Sequence, residues 1–387
     1  MKVAFWGTFD LGKPRNRILL RGLRENGAEV LLCHRQVWAG VEDKSRLTAG
    51  ERLRFLLRWL LAYPALIGRY LRLPRHDVVL LGYLGQLDAL VLWPFARLRR
   101  VPVVWDAFLS LHDTMVDDRA LVSPRHPLAL LLFAWEWLAG RAADRVLLDT
   151  RAHAEAFART FRLPSAKMGA VFVGAEPEVF PPARPSPPRS PSPTHTHTRP
   201  GEGEEEKEET VKVLFYGQLI PLHGVETILR AARLAREEPF EWVLIGRGQE
   251  EERVRRMLAE EPLPRLRWVP WVPYEELARW IGEADVCLGI FGASGKAGRV
   301  IPNKVFQILS VGKPLVTRDS PAIRELLAPG PGVSLIPPDD PAALVEALRR
   351  FRAERPALAG TALHADVRER ITPRAIGRDL LAILEGS

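Results

Sequence analysis

The chain has 387 residues, a formal net charge of +8 and 47% hydrophobic residues; that is more chain than one compact core usually holds, so two domains are expected. Its longest apolar run, Pro127 to Ala139, is too short to span a bilayer and contains Glu136, which excludes a transmembrane helix. Cys33 and Cys287 have neither a CxxC partner nor a nearby histidine, which excludes a cysteine-held metal site and leaves two core thiols of a reducing compartment.

The chain enters a strand at Lys2 with no signal-peptide pattern before it, so a cytoplasmic protein is expected. Strands are predicted at Lys2 to Gly7, Glu29 to His34, Asp77 to Gly82, Val101 to Ala107, Arg145 to Asp149 and Lys167 to Gly174, with helical periodicity between them. Such alternation implies a parallel sheet covered on both faces, hence an α/β, doubly wound first domain over residues 1–180.

The turn after the first strand, Gly7-Thr8 to Gly12-Lys13, is not a Gly-x-Gly-x-x-Gly fingerprint, which argues against a dinucleotide-binding oxidoreductase. It reads either as a loop that closes over a sugar or phosphate or as a plain strand-to-helix turn. The second strand ends Cys33-His34-Arg35 without the acid that would hold an NAD ribose, although an arginine there suits a 2′-phosphate.

Most of the basicity lies in residues 46–75, where arginines alternate with leucines and aromatics. This predicts an amphipathic helix that lies on an anionic membrane surface, or else a solvated helix of the fold. No RNA- or DNA-binding module is recognisable, and no nucleic-acid partner is expected. Asp106, His112 and Asp113 follow the fourth strand in a loop expected to face a cleft; for His112 packing is an equal alternative to catalysis. The adjacent pairs Asp117-Asp118 and Asp339-Asp340 read as surface caps, since neighbours on a strand point to opposite sides.

Residues 181–210 run through prolines, serines and threonines into a glutamate tract with nothing apolar to bury, which predicts a disordered linker. His195 and His197 within it lack a third metal ligand. The strand and helix alternation resumes over residues 211–369, with strands at Thr210 to Gly217, Glu241 to Gly246, Leu266 to Pro270, Asp285 to Phe291, Lys313 to Arg318 and Gly332 to Pro337. A final helix in residues 370–387 is expected to return to the first domain.

Two stretches of the second domain carry chemistry. In Val213-Leu-Phe-Tyr-Gly217-Gln218-Leu-Ile-Pro-Leu-His223-Gly224, the glycines stand where strand passes into helix, where backbone N–H groups and a helix dipole hold phosphate. In Arg299-Val-Ile-Pro302-Asn303-Lys304-Val-Phe-Gln307, a polar helix start clusters a proline, an amide and a cation. Two helix N-termini, one with Lys304, predict a pocket for a diphosphate.

Together with Leu244-Ile-Gly246-Arg247-Gly248 and the continuation to Gly312-Lys-Pro, these stretches resemble, in order and spacing, the retaining GT-B glycosyltransferases of glycosyltransferase family 4. The resemblance covers Val211 to about Leu348, and more loosely the first half. It implies a GT-B fold of two doubly wound Rossmann-like domains facing a central cleft. It also implies a nucleotide-sugar donor, a glycan or lipid-linked acceptor, retention at the anomeric carbon, and neither metal nor other cofactor. Gly217, Gln218, His223 and Gly224 would face the diphosphate; Gly246 and Gly248 the nucleotide; Arg299, Pro302, Asn303, Lys304 and Gln307 the phosphate, ribose and donor sugar.

The chain departs from the family pattern. Gln218 and His223 stand where the family has Arg and Lys, and Arg299 and Gln307 where it has two glutamates. Loss of two cations at the departing diphosphate removes a large electrostatic term unless Lys304, Arg299 or Arg247 replaces it. The alternative is a catalytically degenerate GT-B scaffold or nucleotide-sugar-binding protein.

Overall fold

The computed structural model describes residues 1–37, 49–183 and 209–386. The first domain runs β1 (Lys2–Gly7), α1 (Pro14–Glu25), β2 (Glu29–His34), α2 (Ala49–Leu71), β3 (Val78–Leu81), α3 (Gln86–Arg99), β4 (Val103–Phe108), α4 (Pro127–Ala142), β5 (Arg145–Leu148), α5 (Arg151–Phe161) and β6 (Met168–Ala170). The second runs β7 (Val211–Tyr216), α6 (Val225–Leu234), β8 (Phe240–Ile245), α7 (Glu251–Glu260), β9 (Leu266–Val269), α8 (Leu277–Glu283), β10 (Val286–Leu288), α9 (Asn303–Val311), β11 (Leu315–Arg318), α10 (Pro321–Arg324), β12 (Val333–Ile336), α11 (Pro341–Leu358), α12 (Ala365–Arg370) and α13 (Pro373–Glu385).

Each domain is a six-stranded parallel sheet, ordered β2-β1-β3-β4-β5-β6 and β12-β11-β10-β7-β8-β9. The reason is visible in the strands themselves: Val78–Leu81 and Val286–Leu288 are buried throughout, as sheets with helices on both faces require. All twelve predicted strands are present, within a few residues of their expected ends. In both sheets the first strand of the domain neighbours strands on either side, which places a topological switch at the carboxyl ends of β1 and β7.

Helices α2 to α5 pack on one face of the first sheet and α1 on the other, together with α13. The α1–α13 contact is close because Gly22 meets Gly377: a Cβ on Gly22 would lie 2.2 Å from the Pro373 carbonyl oxygen. The chain passes to the second domain before residue 180, since Val173, Ala175 and Phe180 lie in the second domain's core. Ser310 Oγ donates to the Phe180 carbonyl, and the Ala183 N–H to that of Val311. Residues 184–208 of the expected linker, and 46–48 of the basic segment, lie outside the described residues. Among those described, no helix is long and apolar enough to cross a membrane.

Candidate functional site

The carboxyl ends of β7 and β8 turn through Gly217 (φ 141°), Gly246 (φ 148°) and Gly248 (φ 159°), a region that L side chains rarely adopt. A Cβ on Gly246 would fall 1.8 Å from the Gly217 carbonyl oxygen, and one on Gly217 would stand 3.0 Å from both His223 Cε1 and Lys304 Nζ. Three predicted residues, Gly217, His223 and Lys304, therefore converge on one spot. Gly224 (φ 63°) does something else: its missing Cβ admits the backbone of Phe291 and Gly292, so the close approach it permits is loop against loop.

Lys304 stands in the first turn of α9. Pro302 is the N-cap residue, no side chain caps the helix, and Asn303 is half-buried beside it. Lys304 is 4% exposed, its ammonium 3.7 Å from the Phe215 ring centroid and 3.4 Å from the Gly289 carbonyl oxygen, and no carboxylate pairs with it among the described residues. Burial without a counter-ion drives its pKa well below that of an ordinary lysine. His223 is also buried, its ring edge-on to Phe215, with Nδ1 on the Gln218 carbonyl. A carbonyl accepts, so Nδ1 carries the proton. Burial, then the Lys304 charge, pushes the imidazole pKa well below 6.5, so His223 is neutral and does not restore the missing cation in the free protein.

Two expected contacts are spent on the fold. Gln307 turns inward: its Oε1 accepts from Tyr216 Oη at 2.9 Å and its Nε2 donates to Tyr274 Oη at 3.4 Å, so its amide is shared between two tyrosines. Asp106 lies within β4 and not in the loop after it. It is 0% exposed, and Arg15 from α1 donates Nε to Oδ2 at 2.9 Å and Nη2 to Oδ1 at 2.6 Å. A buried bidentate pair of this kind fixes α1 on the sheet.

The loop after β4 is the first domain's side of the cleft. Glu136 of α4, buried, accepts from Ser110 Oγ (2.6 Å), Leu111 N (2.7 Å), His112 N (3.2 Å) and Gln86 Nε2 (3.1 Å), which caps the turn that follows. His112 packs its ring edge against Phe133 and Phe161. Asp113 begins a π-helical turn reaching Asp118, geometry that often marks functional loops.

Asp113 reaches across the cleft. Arg299 Nη2 donates to its Oδ1 at 2.8 Å and Lys296 lies 3.9 Å away; Lys296 also donates to Thr114 Oγ1. Asp118 is buried and accepts from Ser294 Oγ at 3.2 Å, so it is no surface cap. Asp340 does cap α11, accepting from Ala343 N at 2.8 Å, while Asp339 accepts from Thr227 Oγ1. Gln218 is exposed, and its Oε1 accepts from Arg119 Nη2 of the first domain at 3.3 Å. Arg247 and Gly248 are exposed at the rim.

Sequence reasoning missed Arg15, Arg119 and Lys296, whose partners lie far away in the chain. It noted Glu136 only as a charge in an apolar run, and that isolated acid was the available signal. A groove of about 620 Å³ between β12 and α11, lined by Pro329, Val333, Ala347 and Leu358, contains none of these residues.

Two doubly wound domains closed over a polar cleft form the GT-B fold. Residues 210–354 match the family described as glycosyl transferases group 1. The putative colanic acid biosynthesis glycosyl transferase WcaI of Escherichia coli K12 is 26% identical over 141 residues, 36% of this chain and 34% of WcaI, so the match spans about a third of that relative's length. Sucrose-phosphate synthase from Thermosynechococcus elongatus aligns with a TM-score of 0.68 at 17% identity, over 100% of this chain and 98% of that one. Anabaena HepE, solved in complex with UDP, aligns with a TM-score of 0.63 at 14% identity over 100% of both chains. At these identities the two structures show the fold.

Proposed function

We propose that this chain is a glycosyltransferase that moves a sugar from a nucleoside diphosphate donor to a glycan or lipid-linked acceptor with retention of anomeric configuration. The anomeric carbon's bond to the diphosphate oxygen breaks with its electron pair leaving on the diphosphate. An acceptor hydroxyl bonds to the carbon from the same face, and its proton passes to the departing diphosphate. What carries the reading is the Lys304 ammonium, buried without a carboxylate against the Gly217 turn and at the uncapped start of α9. A desolvated cation there is stabilised by an anion, and a helix N-terminus adds to the attraction. The family match over the same domain and the UDP bound to HepE support a nucleotide donor.

In this reading protein cations neutralise the diphosphate, with no metal or other cofactor. Gly217, Gln218, His223 and Lys304 meet the phosphates, Gly246 and Gly248 the nucleotide, and Asn303 and Arg299 the donor side of the cleft. The loop of His112 and Asp113 presents the acceptor. The first domain rests on an anionic membrane, on its cytoplasmic side, through the basic segment: Leu57 and Leu61 of α2 are 50% and 73% exposed, beside exposed Arg54 and Arg58.

The test is a thermal-shift screen against nucleoside diphosphates and their sugar conjugates at millimolar concentration, since a ligand that binds only the native state raises Tm. One nucleoside diphosphate is expected to shift wild type and to leave Lys304→Ala unmoved. No shift from any of them would overturn the reading in favour of a scaffold.

A further inference from the structure

We infer that Arg119 of the first domain is a diphosphate-contacting cation, carried by domain closure to the Gly217 turn of the second. This deepens the donor half of the proposed function and rests on it. Arg119 follows the π-helical turn of Asp113–Asp118 and stands over both glycine turns of the second sheet. Its Nη2 donates to Gln218 Oε1 at 3.3 Å, next to Gly217, and its carbonyl accepts from Gln249 Nε2 at 3.0 Å, next to Gly248.

The guanidinium is under-satisfied there. It has five donors in a fixed fork, yet its enclosed Nε has no hydrogen-bond partner, and among the described residues no carboxylate pairs with it. Of the acids nearby, Asp113 is held by Arg299 and Lys296, while Asp118 accepts from Ser294 and feels the Arg119 charge without forming an ion pair with it. Its bond to a neutral amide at 3.3 Å is long for a charged donor, which favours distances below 3 Å. The Arg119 charge also contributes to holding His223 neutral, which puts it within electrostatic reach of the spot where Gly217, His223 and Lys304 meet. A planar, partly desolvated guanidinium with free donors fits a bidentate phosphate contact.

The arrangement explains how a glutamine is tolerated at position 218. Gln218 accepts from Arg119 and steers it, whereas an arginine at 218 would repel it. The cation belongs to one domain and the glycine turn to the other, so the anion site is complete only when the cleft is closed.

The test is a charge swap on the full-length protein, read as binding of UDP and of inorganic pyrophosphate by thermal shift and calorimetry. Arg119→Ala is expected to weaken pyrophosphate binding by roughly tenfold or more, the scale of a lost charge-assisted contact. Arg119→Lys, which keeps charge but not the fork, is expected to fall between. Arg119→Ala combined with Gln218→Arg, which moves the cation to the second domain, is expected to recover affinity to within about threefold of wild type.

Unchanged affinity in Arg119→Ala, or no recovery in the swapped protein, overturns the assignment. If wild type responds to pyrophosphate and Lys304→Met does not, while Arg119→Ala still responds, only the Arg119 assignment falls. If wild type responds to neither anion, the donor reading falls and this one with it.

Discussion

The charge state of Lys304 makes the free protein's stability depend on pH in the direction opposite to that of a paired lysine, whose pKa is raised. Its pKa is lowered by burial, so between that folded value and the ordinary lysine value the unfolded chain holds more protons than the native one. Stability therefore rises with pH across that window. Lys304→Met should remove the slope, raise stability of the free protein at neutral pH by on the order of 1–3 kcal/mol, and abolish the diphosphate response. Urea titrations at several pH values measure the first two effects. A variant less stable than wild type would mean that the ammonium already has a stabilising partner.

Asp106 makes the reverse case. Arg15 holds both its oxygens, so Asp106→Ala leaves an uncompensated guanidinium in the core and should cost about 3–5 kcal/mol. Arg15→Met with Asp106→Leu should recover most of that, as measured by urea denaturation. A fully stable Asp106→Ala with only its turnover lost would place this carboxylate in the chemistry after all. The sequence reading placed Asp106 near the cleft by grouping it with His112 and Asp113 in the loop after the fourth strand. It did not reveal Arg15, 91 positions away, which turns the acid inward. Gln307 was misplaced for a similar reason, its two tyrosine partners coming from other elements.

At the scale of elements the strands were legible because a parallel strand buried on both faces must be an apolar run, bounded here by glycine, proline or charge. Helix starts carry a chemical cap at Thr150, Ser320, Asp340 and Thr372, each accepting from an N–H three residues on, and of these the sequence reading named only Asp340. What periodicity does not show is which apolar faces remain uncovered.

In α2, Trp59 and Tyr63 face inward, where Trp59 Nε1 donates to Thr8 Oγ1 at 2.9 Å and Tyr63 Oη to Asp88 at 2.7 Å. Leu56, Leu57, Leu60 and Leu61 stay exposed, and Trp59 meets Trp135 of α4, near exposed Leu131 and Leu138. Residues 52–75 contain arginines and no acid. Vesicles of phosphatidylcholine with a third phosphatidylglycerol should sediment the protein, and neutral vesicles should not. Leu57→Gln with Leu61→Gln should weaken that binding roughly thirtyfold or more, since each leucine loses roughly 1–2 kcal/mol of buried apolar contact. Equal binding to neutral vesicles would count against the arginines.

The two domains are joined in two different ways, and the difference decides which joint moves. On the hinge side the chain itself crosses, with Val173, Ala175 and Phe180 buried in the second domain, and Arg17 pairs with Glu176, which accepts from Tyr274 Oη at 3.1 Å. Tyr274 in turn accepts from Gln307, so this joint is partly apolar and continuous with α9. Across the cleft mouth the ties are polar: Arg299 and Lys296 to Asp113, Ser294 to Asp118, and Arg119 to Gln218. The cleft-mouth joint rests on polar ties alone whereas the hinge also has buried apolar contact, so salt weakens the former more than the latter.

Asp113→Asn should therefore open the ligand-free protein while leaving the hinge intact. Small-angle scattering would register a radius of gyration larger by on the order of 1 Å than the ~21 Å expected for a compact chain of this length. High salt should move wild type the same way, and a bound diphosphate should reverse the change by drawing Lys304 and Arg119 together. An unchanged scattering profile in Asp113→Asn would show that the apolar hinge alone sets the closed state, and that the acidic turn of the first domain serves the acceptor rather than the closure.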